Sequence, residues 1–229
     1  MQTIRSSDGT VIAFERSGNG PPVVLVGGAL STRAGGAPLA EKLAPHFTVI
    51  CYDRRGRGDS GDTPPYAVER EIEDLAALID AAGGSAYVFG MSSGGGLSLL
   101  AAANGHPITR LAVFESPYAV DASRPPVPSD YRTRLDTLLA EGRRGDAVEL
   151  FLTEAVGVPP DLVAQMRQAP MWSGMEAVAH TLPYDHAVMG DSAIPTARFA
   201  SITIPTLVMD GGASPAWIRD AAQELADTI

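Results

Sequence analysis

The fold of this chain is decided by the stretch Val88-Phe89-Gly90-Met91-Ser92-Ser93-Gly94-Gly95-Gly96. Residues 86–89 favour a β-strand, and the apolar residues 97–103 that follow the stretch are typical of a helix. Between them lies the pattern Gly-x-Ser-x-Gly, whose small residues let a strand and a helix approach closely at a sharp turn. The sequence therefore predicts a strand, a tight turn that carries Ser92, and a helix.

A serine on such a turn is suited to nucleophilic chemistry. The strained turn exposes its hydroxyl, and the first N–H groups of the next helix can stabilise a developing negative charge. Because Gly-x-Ser-x-Gly is a loose pattern, the alternative is a glycine-rich loop that only turns the chain. The position between a strand and a helix favours the nucleophile, and the backbone N–H groups of Ala29 and Ser93 are then predicted to form an oxyanion hole.

Strand and helix patterns alternate along most of the chain, which predicts an α/β fold with a mostly parallel sheet. From about residue 116 to 200 only helical patterns occur, separated by proline-rich connections at 124–128 and 158–160. We therefore expect a sheet domain formed by residues 1–115 and 201–229, with residues 116–200 inserted as a helical cap.

Composition limits the possible partners. The chain has 229 residues and a formal net charge of −10, which disfavours nucleic acids and anionic membranes because both are polyanions. No apolar stretch approaches the length needed to span a bilayer, and the N-terminus has no signal-like segment. A soluble, cytoplasmic protein that acts on a small molecule is expected, and its oligomeric state is not predicted.

Neither a metal nor an organic cofactor is indicated. Cys51 is the single cysteine and lies in an apolar run, so a core thiol is expected. The pattern Gly56-x-Gly58-x-x-Gly61 formally matches a dinucleotide-binding fingerprint but does not open a helix, so it does not favour a cofactor site. The neighbouring residues Asp53, Arg54 and Arg55 are expected to fix this loop through ion pairs and hydrogen bonds.

Several of these motifs together resemble the α/β-hydrolases over nearly the whole chain. They are the Gly27-Gly28 turn, residues 52–60, residues 90–94, and Ile204-Pro205-Thr206-Leu207-Val208 before a glycine-rich turn. The resemblance implies an α/β-hydrolase fold with eight strands, helices on both faces of the sheet, a helical cap after the sixth strand, and a triad of serine, acid and histidine in that order.

The resemblance leaves the acid and the histidine open. Where the family usually has its acid this chain has Ser214, so Asp210 is the preferred candidate and Glu115, after the sixth strand, is the alternative; either could be structural instead. The family's histidine follows a last strand that this sequence does not contain. Of the four histidines, His180 and His186 fall in the cap, and a cap histidine acting as the base is the alternative. We expect the catalytic histidine to lie in a C-terminal segment outside this sequence, without which the polypeptide should be nearly inactive.

The predicted activity is two-step acyl transfer on small esters or lactones of modest polarity, through an acyl-enzyme on Ser92. His180 and several apolar cap residues would line the pocket, the apolar ones being Met166, Met171, Trp172, Met175 and Leu182. The same helical spacing is also typical of a cap core. Two alternatives remain open, a non-catalytic relative that binds a small apolar ligand and a cofactor-free perhydrolase.

Overall fold

A mostly parallel sheet of seven strands forms the centre of the part of the chain that the computed structural model describes, residues 1–121, 124 and 126–229. Its strands are β1 Gln2–Arg5, β2 Val11–Ser17, β3 Pro22–Val26, β4 Thr48–Tyr52, β5 Ala86–Met91, β6 Ile108–Phe114 and β7 Thr206–Met209. They lie in the order β1-β2-β4-β3-β5-β6-β7. Strand β2 pairs antiparallel with both β1 and β4, and all the other pairs are parallel.

The helices follow the predicted alternation. Those of the sheet domain are α1 Ala37–Leu43, α2 Val68–Ala81, α3 Ser93–Ala103 and α10 Ala216–Thr228. Between β6 and β7 lie α4 Tyr131–Ala140, α5 Arg144–Leu150, a π-helical segment Phe151–Val156, α6 Pro160–Met166, α7 Trp172–Val178, a 3₁₀ turn Ala179–Thr181, α8 Leu182–Met189 and α9 Thr196–Phe199. Pro125, in the predicted proline-rich connection, lies outside the described residues.

Side chains of the central strands alternate between two cores. Val24, Ile50 and Val88 pack with α2 and α3, whereas Val23 and Val49 pack with α1 on the other face. Because successive residues of a strand point to opposite faces, a strand covered on both sides reads as a continuous apolar run. The expectation of an α/β fold with helices on both faces is confirmed.

Helices cover the two faces of the sheet to different extents. On the α1 side, Leu207 of β7 is 57% exposed, and an apolar groove of about 490 Å³ runs along β5, β6 and β7. None of the described helices is both long and apolar enough to cross a bilayer.

The helices α4 to α8, here called the cap helices, have an apolar core of their own. It includes Leu135 of α4, Val148 of α5 and Leu182 at the start of α8. Val188, near the end of α8, packs instead into the large core of the sheet. Helix α8 therefore joins the cap helices to the sheet, and the boundaries 116 and 200 stay a prediction.

Candidate active site

Ser92 occupies the turn between β5 and α3. Its backbone has φ +55° and ψ −126°, a conformation that L-residues rarely adopt and that is held only when the surroundings impose it. The Ser92 N–H donates to the carbonyl of Phe114 on β6 at 2.9 Å, and its own carbonyl accepts from Gly95 N–H at 2.9 Å. The predicted strand, turn and helix are present, and Ser92 is partly exposed at their junction.

Gly94 explains why small residues surround this serine. A Cβ atom at Gly94 would lie 2.3 Å from the carbonyl oxygen of Val26 and 2.6 Å from that of Gly27, both at the end of β3. Such distances are far inside van der Waals contact, and a backbone carbonyl cannot swing away as a flexible side chain could. The first turn of α3 therefore reaches β3 only because residue 94 has no side chain.

We predict opposite effects for two helical Gly→Ala substitutions. Gly94→Ala should lower the free energy of unfolding by about 1–3 kcal/mol through overpacking, whereas an added methyl in open space should raise it by up to about 1 kcal/mol. Gly174 in α7 is the matched control, because nothing lies within 4 Å of its added Cβ. Urea unfolding of both variants measures the difference, and equal effects would contradict the close approach of α3 to β3.

The loop after β3 lies directly against Ser92. A Cβ at Gly28 would be 2.9 Å from Cβ of Ser92 and 3.0 Å from the carbonyl oxygen of Met91. Ala29 follows Gly28 and lines the same cavity as Ser92 and Ser93. Within the described residues, no acceptor takes a hydrogen bond from the backbone N–H of Ala29 or of Ser93. Two uncommitted donors thus lie next to the serine.

A cavity of about 390 Å³ opens at Ser92, between the ends of the parallel strands and the cap helices. Such a volume suits a small organic molecule. Its apolar lining includes Val127, Tyr131, Phe151, Ala155, Leu182 and Met189, together with Trp217 from α10 of the sheet domain. The described residues contain no group of histidine, cysteine or carboxylate side chains placed to hold a metal ion.

Most of the residues predicted to line the pocket lie elsewhere, which corrects that expectation. Trp172 and Met175 are 4% and 9% exposed and pack in the core of the cap helices, and His180 is also absent from the cavity wall. Trp172 and Met175 face neighbouring cap helices, which is the cap core that the same helical spacing also predicted. Met166 and Met171 are also absent from the cavity wall, whereas Leu182 belongs to it, as predicted. Sequence reasoning missed the rest of the apolar lining, because those residues are spread over several elements.

Of the two candidate acids, the structure brings Glu115 to the cavity and leaves Asp210 exposed and outside its lining. Glu115 follows β6 with φ +50°, beside the strand that ends in Ser92. Its Oε1 accepts hydrogen bonds from the Ser214 hydroxyl and from Gly211 N–H, the latter at 3.3 Å. Ser214 stands where the family usually carries its acid, so the Glu115 carboxylate comes to that place from the neighbouring strand.

His186 of α8 is the histidine that the described residues place in the cavity wall. Burial lowers the pKa of its imidazole and the nearby Arg132 lowers it further, which outweighs the opposite effect of Asp136. The centroid of the His186 ring lies 5.8 Å from that of the Tyr131 ring. No hydrogen bond among the described residues connects His186 to Ser92. His46 and His106 precede β4 and β6, at the opposite ends of the strands.

Behind Ser93 lies a buried ion cluster that ties the cap helices to the sheet domain, formed by Arg54, Arg57, Glu71 and Asp185. Asp185 Oδ1 accepts from Arg54 Nη1 and its Oδ2 accepts from Arg57 Nη2, each at 2.7 Å. Arg54 also binds Glu71 through two contacts of 2.7 Å. All four side chains are at most 4% exposed. Burial alone would raise the pKa of Asp185, but Arg57 and Arg54 hold it below its usual value.

The ion cluster also contacts Ser93, which carries one of the two uncommitted N–H groups, and Gly28, which precedes the other at Ala29. The Ser93 hydroxyl donates to Asp185 Oδ1 at 2.7 Å, and Arg57 Nη1 donates to the carbonyl of Gly28 at 2.6 Å. The expectation that ion pairs fix the loop after β4 is confirmed, since Arg55 binds Asp74 at 2.7 and 2.8 Å and Arg33 N–H donates to Asp53. No pattern in the sequence indicated that Asp185 belongs to this cluster.

Known proteins resemble the chain over most of its length. A solved structure of an alpha/beta hydrolase from Sphaerobacter thermophilus is 88% identical, with a TM-score of 0.98 over 100% of this chain and 89% of that one. Lipase LipV of Mycobacterium tuberculosis is 29% identical over 77% of this chain and 69% of its own length. The pimeloyl-[acyl-carrier protein] methyl ester esterase of Xanthomonas campestris is 34% identical over 57% of this chain, which spans 56% of that enzyme.

A family model supplies the broader assignment. The model described as "Alpha/beta hydrolase family" matches residues 23–228, from the first residues of β3 to the last residue of α10. This range includes the turn at Ser92, the loop with Ala29 and the cavity wall. By the order of its strands, by its relatives and by this match, the chain belongs to the alpha/beta hydrolase family.

Proposed function

We propose that the protein is a serine hydrolase that cleaves small carboxylic esters or lactones through an acyl-enzyme on Ser92. The observation that carries the proposal is the turn at Ser92, with φ +55°, which opens into a cavity beside the uncommitted N–H groups of Ala29 and Ser93. A nucleophile and two oxyanion donors are the parts that acyl transfer requires. The lipase and esterase relatives support the same reaction class.

In the proposed reaction, Ser92 Oγ attacks the carbonyl carbon of the substrate while its proton passes to a histidine. The Ala29 and Ser93 N–H groups, the proposed oxyanion hole, stabilise the tetrahedral oxyanion. The intermediate then expels the alcohol, which takes the proton from the histidine. Water, deprotonated by the same base, attacks the acyl-enzyme and releases the carboxylic acid and free Ser92. A lactone follows the same steps, with acid and alcohol in one product.

We propose Glu115 as the acid of the triad, in place of the initially preferred Asp210. Glu115 lines the cavity and is held by Ser214 and Gly211, whereas Asp210 is exposed and does not reach the cavity. A carboxylate fixed at the bottom of the site can orient the histidine and stabilise the imidazolium that forms.

As the base we propose the histidine that follows the eighth and last strand in the family, rather than His186. His186 packs against Tyr131 and has no hydrogen bond to a carboxylate of a described residue that would orient it. A base without such an orienting group would not deprotonate Ser92 efficiently.

The test is fluorophosphonate labelling of the product of the full open reading frame, read by peptide mass spectrometry. We expect the label on Ser92 in the wild type and, at a similar rate, in His186→Gln. If His186 were the base, its loss would slow labelling by about 10²–10⁴-fold. No label on Ser92 in the wild type would overturn the proposed function and favour a protein that binds a small ligand without catalysis.

A further inference from the structure

Arg124 is a half-buried cation in the cavity wall without a counter-charge among the described residues. Its Nη1 donates to the carbonyl of Pro117 at 2.5 Å and its Nη2 to the carbonyl of Ala155 at 3.1 Å. The guanidinium also lies over the indole ring of Trp217, with Cζ 4.8 Å from the ring centroid. All three partners are neutral.

This isolation distinguishes Arg124 from the other arginines that the structure describes. Nine of them form ion pairs, namely Arg33, Arg54, Arg55, Arg57, Arg70, Arg132, Arg134, Arg143 and Arg167. The remaining six are exposed to solvent, namely Arg5, Arg16, Arg110, Arg144, Arg198 and Arg219. Burial lowers the pKa of Arg124, and no acidic group raises it again. A partly buried charge without a partner is costly unless a ligand supplies one.

The two carboxylates of the same cavity do not neutralise Arg124. Asp185 already binds Arg54 and Arg57. Glu115 accepts hydrogen bonds from Ser214 and Gly211, and no contact joins it to Arg124. A guanidinium has five N–H donors, of which the two carbonyls take two, so three remain for an oxyanion. Their planar arrangement matches a carboxylate.

We propose that Arg124 binds a free carboxylate of the substrate, so that the preferred substrates are esters or lactones that carry a second, ionised carboxyl group. The proposal rests on the proposed function for its reaction, and it replaces the expectation of substrates of modest polarity. The apolar lining of the same cavity, with Phe151 and Trp217, would hold the hydrocarbon part that joins the reacting carbonyl to the carboxylate.

The kinetic test uses the product of the full open reading frame, as wild type and as Arg124→Gln. It compares monomethyl adipate with methyl heptanoate, a neutral ester of similar length. Loss of a charged hydrogen-bonding partner should lower kcat/KM for monomethyl adipate about ten- to hundredfold. The value for methyl heptanoate should change little, and Arg124→Lys should restore part of the loss. Equal effects of Arg124→Gln on both esters, or no effect on either, would overturn the carboxylate site while leaving the proposed function standing.

A binding measurement separates this inference from catalysis. Adipate is titrated calorimetrically into a Ser92→Ala protein and into the Ser92→Ala, Arg124→Gln double variant. We expect adipate to bind the single variant and to bind the double variant about tenfold or more weakly. Equal affinities would overturn the carboxylate site. A different outcome is that adipate binding depends on Arg124 but the wild type hydrolyses neither ester. That result would overturn the proposed function alone.

Discussion

Replacing Ser92 with alanine is expected to lower kcat for ester hydrolysis by about 10⁴-fold or more, because the acyl-enzyme cannot form without its oxygen. Fluorophosphonate labelling of the peptide that contains residue 92 should disappear in the same variant. The substitution removes one oxygen at a partly exposed site, so the free energy of unfolding should remain close to that of the wild type.

Ser98→Ala is the matched control. Ser98 lies in α3, the helix that follows Ser92, and its buried hydroxyl donates to the carbonyl of Gly94 at 2.7 Å, outside the cavity wall. We expect this variant to retain most of the hydrolytic activity and the label on Ser92. Activity of Ser92→Ala within a small factor of the wild type would contradict a covalent mechanism on this serine, as would a comparable loss in both variants.

The sheet could be predicted from sequence because its signals are local. Residues 22–26, a continuous apolar run, form β3, and residues 131–140, within the stretch of helical patterns, form α4. The glycines at 90 and 94 could be interpreted for the same reason, since a strand, a tight turn and a helix lie within about twenty residues. Local elements of this kind depend on the spacing of apolar side chains and on the backbone conformations that glycine allows. Both can be recognised in a single sequence.

The cavity wall and the acid could not be predicted in this way. Helical spacing shows that Trp172 and Met175 share a buried face, but it does not show which neighbour covers that face, and other cap helices do. Asp210 and Glu115 both end strands at the same edge of the sheet. Their difference arises from the positive φ of Glu115 and its contact with Ser214, which is a tertiary feature.

The ion cluster is the clearest case of a site without a local signal. Arg57 and Asp185 are 128 residues apart in sequence and 2.7 Å apart in the structure. The charge of Arg57 appeared in the loop motif after β4, but its partner belongs to a cap helix. Only the packing of α8 against the sheet domain brings the two together.

Asp185→Asn is expected to lower the free energy of unfolding by about 3–5 kcal/mol, because it leaves two buried guanidinium groups without their shared carboxylate. The matched control is Asp146→Asn, whose carboxylate pairs with Arg143 and Arg167 on the surface of the cap helices. A surface pair is worth about 0–1 kcal/mol, so the control should stay close to the wild type. Urea unfolding measures both, and similar small losses would contradict a stabilising role of the buried cluster.

Catalysis provides a second measurement, because Asp185 would act as a positioning residue for the proposed oxyanion donors. It holds Ser93 directly, and it holds Gly28 through Arg57. Displacement of Ala29 and Ser93 by a fraction of an ångström should lower kcat by about ten- to hundredfold. The value of KM should change much less, since the donors act mainly on the transition state. A loss confined to KM would contradict the positioning role.

The pH dependence of stability tests whether the charge of Asp185 is responsible. Arg57 and Arg54 lower its pKa in the folded protein below the value of about 3.9 expected in the unfolded chain. Its charge therefore stabilises the fold fully above that value, and the contribution is lost as the pH falls through the folded pKa. The difference in unfolding free energy between wild type and Asp185→Asn should stay constant from about pH 5 to 7 and narrow below about pH 4. A difference that persists unchanged at acidic pH would show that packing, rather than the ion cluster, accounts for the loss.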